Sequence, residues 1–263
     1  MNYVKANLEI FVPSLVELVS SMDFPWDRME KAFNQEIERR KLEGQGKPVV
    51  VETTIYDMMI EAKKGNMTAI GHLNFLKRLF EELCDYLSME ERILARTNVK
   101  KMLTAMDKRH RTFLAELATL NNLVKTKRYK LTGIETKLSN GKKIDFKLND
   151  IYTHKDVLIE VDNIFLNSDK IEDDPELIEK FIRGRAAQKL GKKTIRLEIN
   201  QDFYIVPVLW GTASDLKIYS HFFSSHSVQT GNYFEPLAYL TYSNGKDYYE
   251  HYFGNVSNLF KHG

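Results

Sequence analysis

The chain has 263 residues, of which 43% are hydrophobic and 28% are charged, and its formal net charge is +2 at pH 7. This composition is typical of a globular protein with one large or two modest domains. A single cysteine, Cys84, excludes a disulfide framework and a multi-cysteine zinc site and favours a reducing compartment. No stretch approaches the roughly 18 apolar residues of a membrane span, so we expect a soluble, cytoplasmic protein with no membrane partner.

The first part of the chain carries apolar residues at helical spacing. One stripe runs over Leu8–Val19 and a second over Leu73–Leu87. The segment Ser88–Glu91 has the pattern of a capping box and predicts the start of a further helix, whereas Gly44–Pro48 predicts the end of an earlier one. We therefore predict a helical region over residues 1–107.

The pattern changes from Lys108 onward. Apolar residues over Phe113–Val124 predict one more helix, and two short strand-like runs follow at Leu131–Leu138 and Lys142–Leu148. The dipeptide Asn140-Gly141 between these runs predicts a tight hairpin in which both residues adopt positive φ.

A third strand is predicted at Asp156–Asn163. The segment Asp174–Glu176 predicts the start of a helix with proline in its first turn, Gly191 predicts its end, and Thr194–Ile199 predicts the next strand. Residues 108–210 thus have the order helix, strand, strand, strand, helix, strand.

Residues 211–263 complete an aromatic, strand-prone region that begins with the run Phe203–Trp210. A further strand is predicted at Leu216–Phe223 and a second hairpin at Tyr242–Asp247. This extension could enlarge the sheet, cover it, or contact a partner protein or a second copy in a homodimer. The helical N-terminus could make the same kind of contact.

Acidic residues in the predicted strands are the candidate site. Side chains alternate along a strand, so Glu160 and Asp162 share one face, and Asp145 on the preceding hairpin could lie beside Glu160 once the strands pair. Glu116 on the preceding helix could add a carboxylate. Converging carboxylates repel one another unless a cation lies between them, which points to Mg²⁺ or Mn²⁺. Such an ion can activate water for attack on a phosphodiester.

Basic residues surround this acidic group. Residues 121–148 contain eight Lys or Arg against two acidic residues. A locally positive surface suits a phosphate backbone, so nucleic acid, with DNA preferred, is the predicted partner.

The order of elements and the residues Asp145 and Glu160 resemble the PD-(D/E)XK nuclease superfamily. The resemblance implies an α/β (α+β) fold in which a restriction-endonuclease-like αβββαβ core follows the N-terminal helices. It also implies that Asp145 and Glu160 bind the metal ion and that Glu116 supports it. The side chains that would contact nucleic acid are Lys142, Lys143, Arg185, Gln188 and Lys189.

One position departs from the family pattern. Asp162 stands two residues after Glu160, where the family has lysine, and a carboxylate cannot stabilise developing negative charge as an ammonium group does. Three explanations remain open at this point. The lysine has moved, Asp162 is an additional metal ligand, or the site is inactive. The candidates for a moved lysine are Lys143, Lys147 and Lys189.

Three functions follow from these observations. The first is a metal-dependent endonuclease that hydrolyses phosphodiester bonds of DNA or RNA at Asp145 and Glu160. The second keeps the nuclease fold without catalysis, as a nucleic-acid-binding or regulatory subunit. The third is a protein interaction module that uses the helical N-terminus and the tyrosine-rich C-terminus.

Overall fold

The protein is described here by a computed structural model. It describes residues 2–20, 24–43, 54–107, 109–170, 173–194, 202–226, 234–243 and 249–260. The chain divides into two compact units. The first unit comprises Met1–Leu117 with Ser243–Glu250, and the second comprises Ala118–Tyr242 with His251–Gly263.

The first unit is helical, as the apolar stripes predict. The helices before the sheet are α1 (Tyr3–Phe11), α2 (Pro13–Ser20), α3 (Trp26–Glu43), α4 (Ile55–Lys63), α5 (Met67–Tyr86), α6 (Met89–Thr104) and α7 (Arg109–Val124).

Local sequence explains where several of these helices begin and end. The capping box at Ser88 is present, since the Ser88 hydroxyl accepts from the backbone N–H of Glu91 and the Glu91 carboxylate accepts from that of Ser88. The stripe over Leu8–Val19 is divided between α1 and α2, because Pro13 has no N–H and instead occupies the first turn of α2. The segment Gly44–Pro48 lies outside the described residues.

The second unit contains the sheet apart from Ser243, Tyr249 and Glu250, which belong to the first. Its strands are β1 (Tyr129–Lys137), β2 (Lys143–Asp150), β3 (Asp156–Phe165), β4 (Asp202–Trp210), β5 (Leu237–Ser243) and β6 (Tyr249–Asn255), and its further helices are α8 (Pro175–Thr194) and α9 (Ala213–Ser225). The strands lie side by side in the order β1-β2-β3-β4-β5-β6. β1, β2 and β3 form an antiparallel meander, whereas β4 is parallel to β3 and β5 is parallel to β4. Helix α8 connects β3 to β4, as a parallel crossover requires.

The first hairpin is present, but its turn differs from the prediction. Gly141 has a φ of 79°, whereas Asn140 is not in the left-handed region. Asn140 acts through its side chain instead. Its amide group accepts from the backbone N–H of Lys142 and donates to the carbonyl oxygen of Lys193 on α8 at 2.8 Å.

The predicted end of α8 was wrong. The helix begins after Asp174, whose carboxylate accepts from the N–H groups of the first turn, but it continues through Gly191 to Thr194. Contacts made beyond Gly191 explain the continuation, because Asn140 and Glu160 both bind Lys193 in the last turn. Thr194 is therefore helical, and the remainder of the strand predicted at Thr194–Ile199 lies outside the described residues.

The predicted strand at Leu216–Phe223 was also wrong, because this segment lies in α9. A capping box of Thr212 and Asp215 starts the helix, and Leu216, Tyr219 and Phe222 form its buried face. After α9, β5 and β6 extend the sheet, while the turn of the second predicted hairpin lies outside the described residues. Within the described ranges, no helix combines the length and apolarity needed to cross a bilayer.

Candidate active site

Three acidic side chains lie in neighbouring strands of the second unit. Phe146 of β2 pairs with Ile159 of β3, which brings Asp145 beside the segment that carries Glu160. The Asp145 carboxylate accepts a hydrogen bond from the backbone N–H of Val161 at 2.8 Å. Glu160 and Asp162 are only 2% and 4% exposed. The sequence therefore places charged side chains where water cannot fully solvate them, which requires compensation by nearby groups.

Helix α8 supplies three cations to these carboxylates. The Lys189 Nζ lies 3.1 Å from Glu160 Oε1 and 3.7 Å from Asp162 Oδ1. Lys193 contributes a second ammonium group, 2.9 Å from Glu160 Oε2, and the Arg185 guanidinium lies 3.2 Å from Asp162 Oδ1. Residues spaced by four lie on one helix face, so all three cations are presented to the same part of the sheet.

Apolar contacts hold α8 against the sheet. Ile178 and Ile182 are buried in a cluster that includes Ile164 and Leu209, and Leu190 packs near the other end of the helix. The residues that Leu190 packs against are Ile144, Leu158, Phe203 and Ile205. This apolar packing positions the three cations over the carboxylates.

The electrostatic environment raises the pKa values of Asp145 and Lys189. Burial and the nearby Glu160 carboxylate raise the pKa of Asp145 to about 7, although the Val161 hydrogen bond and the two lysines oppose this shift. For Lys189, burial lowers the pKa, but Glu160, Asp162 and Asp145 outweigh it, so the pKa is raised and the ammonium stays charged. Asp145 and Glu160 thus repel each other despite the lysines.

The charges are paired, but the hydrogen bonding is incomplete. Glu160 Oε2, Asp162 Oδ2 and Arg185 Nε are buried atoms that make no hydrogen bond within the described part of the chain. Glu160 Oε2 still has the Lys193 ion pair, which lacks hydrogen-bond geometry. Buried polar atoms are rarely left in this state, and such sites are candidates for a functional role.

Among the described residues, no three His, Cys, Asp or Glu side chains come together as a group that could hold a metal ion. A metal ion at this site would therefore have to be held by fewer protein carboxylates.

No family model, curated protein or solved structure matches this chain.

The other sequence-predicted residues have different surroundings. Glu116 lies on α7 in the first unit, where its Oε2 accepts a hydrogen bond from Asn98 at 2.8 Å. Of the candidates for a moved lysine, Lys147 pairs with Asp156 at 2.8 Å and Lys143 pairs with Glu135 at 3.2 Å. The predicted nucleic-acid contacts Lys142 and Gln188 are exposed side chains.

Lys193 is the site residue that the sequence analysis missed. The signal was present, because Lys193 continues the spacing of four that begins at Arg185 and Lys189. The predicted helix ended at Gly191, so Lys193 was not assigned to that face.

The raised pKa of Asp145 predicts a pH dependence of stability. The folded protein binds a proton at Asp145 more tightly than the unfolded chain, so the free energy of unfolding should fall as the pH rises from about 4 to about 7. Replacing Asp145 with asparagine removes this contribution and should raise the free energy of unfolding by about 1–3 kcal/mol at about pH 8.

Urea titrations of the wild type and Asp145→Asn at several pH values measure the effect. Asp156→Asn is the matched control, since it changes an acidic residue of β3 that pairs with Lys147. An Asp145→Asn variant less stable than the wild type at about pH 8 would contradict the account.

Proposed function

We propose that the chain is a metal-dependent phosphodiesterase that cleaves nucleic acid, with DNA as the preferred substrate. Asp145 and Glu160 hold a Mg²⁺ or Mn²⁺ ion, and Lys189 takes the role of the lysine that Asp162 replaces. The observation that carries the proposal is the 3.1 Å contact between Lys189 Nζ and Glu160 Oε1. This contact favours the moved lysine among the three explanations for Asp162.

The order of elements supports the proposal. Helix α7, the antiparallel meander β1 to β3, helix α8 and the parallel strand β4 follow one another as in the PD-(D/E)XK core that the sequence resembles. Glu160 and Asp162 are the fifth and seventh of the ten residues of β3, so both carboxylates lie in the central part of that strand.

The two carboxylates fit a hard divalent cation. Mg²⁺ is usually bound by one or two carboxylates together with water and substrate phosphate oxygens, so a group of three protein carboxylates is not required. The pKa of Asp145 is raised first by burial and then by the nearby Glu160 carboxylate. A divalent cation at this position would lower the pKa of a bound water and neutralise charge on the phosphodiester.

The remaining residues have roles that their contacts suggest. Lys189 holds an ammonium group beside Glu160, where it can stabilise negative charge that develops on the phosphate. Arg185 and Lys189 neutralise Asp162, which removes the repulsion that an unpaired carboxylate would exert on a substrate phosphate. Lys193 binds the second oxygen of Glu160 and orients its carboxylate.

A second candidate function is nucleic-acid binding without cleavage. Both oxygens of Glu160 are in ion pairs with lysines, which is also the arrangement of a closed network that only fastens α8 to the sheet. In that case the carboxylates would have no capacity left for a metal ion.

Incubation with plasmid DNA, single-stranded DNA and RNA separates the two functions. The phosphodiesterase should cleave at least one of them in Mg²⁺ or Mn²⁺ and lose this activity in EDTA. Binding of nucleic acid with no cleavage in either metal would favour the second candidate instead.

A further inference from the structure

A basic, aromatic surface lies at the end of the second unit opposite the carboxylates. It is formed by residues 125–130 and 151–155, which we call the basic tip. The two segments are adjacent, since the backbone N–H of Ile151 donates to the carbonyl oxygen of Arg128 at 2.9 Å. Along β3, Asp156 at the start of the strand and Glu160 in the candidate site are roughly 13 Å apart, at about 3.3 Å per residue.

The basic tip is strongly positive because its acidic neighbours are already paired. Asp150 is buried and forms an ion pair with Arg128 at 2.6 Å. Asp156, at the start of β3, is paired with Lys147. None of the ion pairs within the described part of the chain involves the exposed side chains Lys125, Lys127, Lys130 and Lys155.

An exposed aromatic side chain lies within the basic tip. Tyr152 is 73% exposed, and Ile151 beside it is 40% exposed. The turn is held by Asp150, whose Oδ1 accepts from the N–H groups of Tyr152 at 2.9 Å and Thr153 at 3.3 Å. The ring of Tyr152 is therefore presented on a fixed backbone.

Backbone conformation points to the same surface. Lys127 and His154 have φ values of 58° and 56°, in the region that glycine adopts without strain from a Cβ atom. Both positions lie in the basic tip, and both retain long or aromatic polar side chains. Glu135 of β1, with a φ of 48°, is the third non-glycine residue of this kind in the described part of the chain, so two of the three lie in the basic tip.

We infer that the basic tip binds single-stranded nucleic acid, with the lysines contacting phosphates and Tyr152 stacking on an unpaired base. Only this partner uses both features, because proteins that bind single strands combine a basic surface with exposed aromatic rings. A membrane surface would use the charge, but Ile151 and Tyr152 offer little apolar area for insertion. The inference rests on the proposed function for the identity of the partner, and it adds a binding contact distant from the metal site.

Binding can be measured without cleavage. Fluorescence anisotropy of a labelled oligothymidylate of about twenty nucleotides, in EDTA, reports affinity and its dependence on salt. Tyr152→Ala should weaken binding about tenfold or more, whereas Tyr152→Phe should bind like the wild type. Lys127→Gln combined with Lys155→Gln should reduce the slope of log affinity against log salt by about 1.4, because each single-strand phosphate contact contributes about 0.7.

The controls separate this inference from the proposed function. Lys5→Gln combined with Lys77→Gln changes two lysines of the first unit whose side chains are 43% and 47% exposed, and it should leave binding unchanged. Because binding is measured in EDTA, a change in the basic-tip variants does not depend on a metal ion at Asp145 and Glu160. The inference would be overturned by unchanged binding in the basic-tip variants, by preference for duplex DNA, or by binding only to vesicles of anionic lipid. If the wild type cleaves nucleic acid and the basic-tip variants bind it as tightly as the wild type does, the inference is overturned and the proposed function stands.

Discussion

Replacing Lys189 with methionine is expected to reduce the rate of phosphodiester cleavage by about 100-fold or more, which is typical for removal of one group that stabilises transition-state charge. The substitution keeps the length and apolar stem of the side chain but removes the ammonium group beside Glu160. The fold should be retained, because Lys193 still pairs with Glu160 and Arg185 still pairs with Asp162.

Two further variants make this result specific. Lys189→Arg keeps the positive charge and should retain part of the activity, although the guanidinium group is larger and differently shaped. Lys147→Met removes a lysine of β2 that pairs with Asp156 and should cleave nearly as fast as the wild type. A Lys189→Met variant with wild-type activity, or a Lys147→Met variant with none, would show that the moved lysine has been misassigned.

Lys189 and Lys193 together should stabilise the fold by pairing with the buried Glu160 carboxylate. Replacing both Lys189 and Lys193 with methionine leaves Glu160 buried without a cation and should lower the free energy of unfolding by about 2–4 kcal/mol at about pH 8. Glu160 is only 2% exposed, so it cannot turn to solvent to recover its hydration.

Tryptophan fluorescence can follow this unfolding in the second unit alone. The chain has two tryptophans, Trp26 in the first unit and Trp210 in the second, so a Trp26→Phe background leaves Trp210 as the reporter. Lys142→Met combined with Lys192→Met, which changes two exposed lysines, is the matched control. A double variant of Lys189 and Lys193 as stable as this control at about pH 8 would contradict the buried ion-pair network.

Much of the sheet could be predicted because its signals are local. Alternating apolar residues predicted β2 and β3 near their observed bounds, and the two strands pair as antiparallel neighbours. Asp145 and Glu160 could be assigned to neighbouring positions on this basis, since strand alternation determines which side chains share a face.

The end of α8 could not be predicted in the same way. Glycine usually ends a helix, but here the last turn is held by contacts from residues distant in sequence, above all the Asn140 amide on the Lys193 carbonyl. Such contacts depend on the tertiary structure and leave no local pattern. The Lys193 ion pair with Glu160 was missed for this reason.

The strand predicted at Leu216–Phe223 failed for a different reason. Aromatic and β-branched residues are common in strands, but propensity is a weak signal when a capping box precedes the segment. Thr212 and Asp215 form that box, and the spacing of the apolar residues after it fits a helix. The sequence did contain this signal, and giving the cap greater weight would have predicted α9.

The most direct measurement of the central claim is the rate of nucleic-acid cleavage as Mg²⁺ is titrated, compared between the wild type and Asp145→Asn. The account predicts that wild-type cleavage rises with Mg²⁺ to a plateau, whereas Asp145→Asn cleaves at least about 100-fold more slowly at every concentration although it is folded and binds nucleic acid. Equal rates in the two proteins, or wild-type cleavage that persists in EDTA, would contradict a metal-dependent site at Asp145 and Glu160.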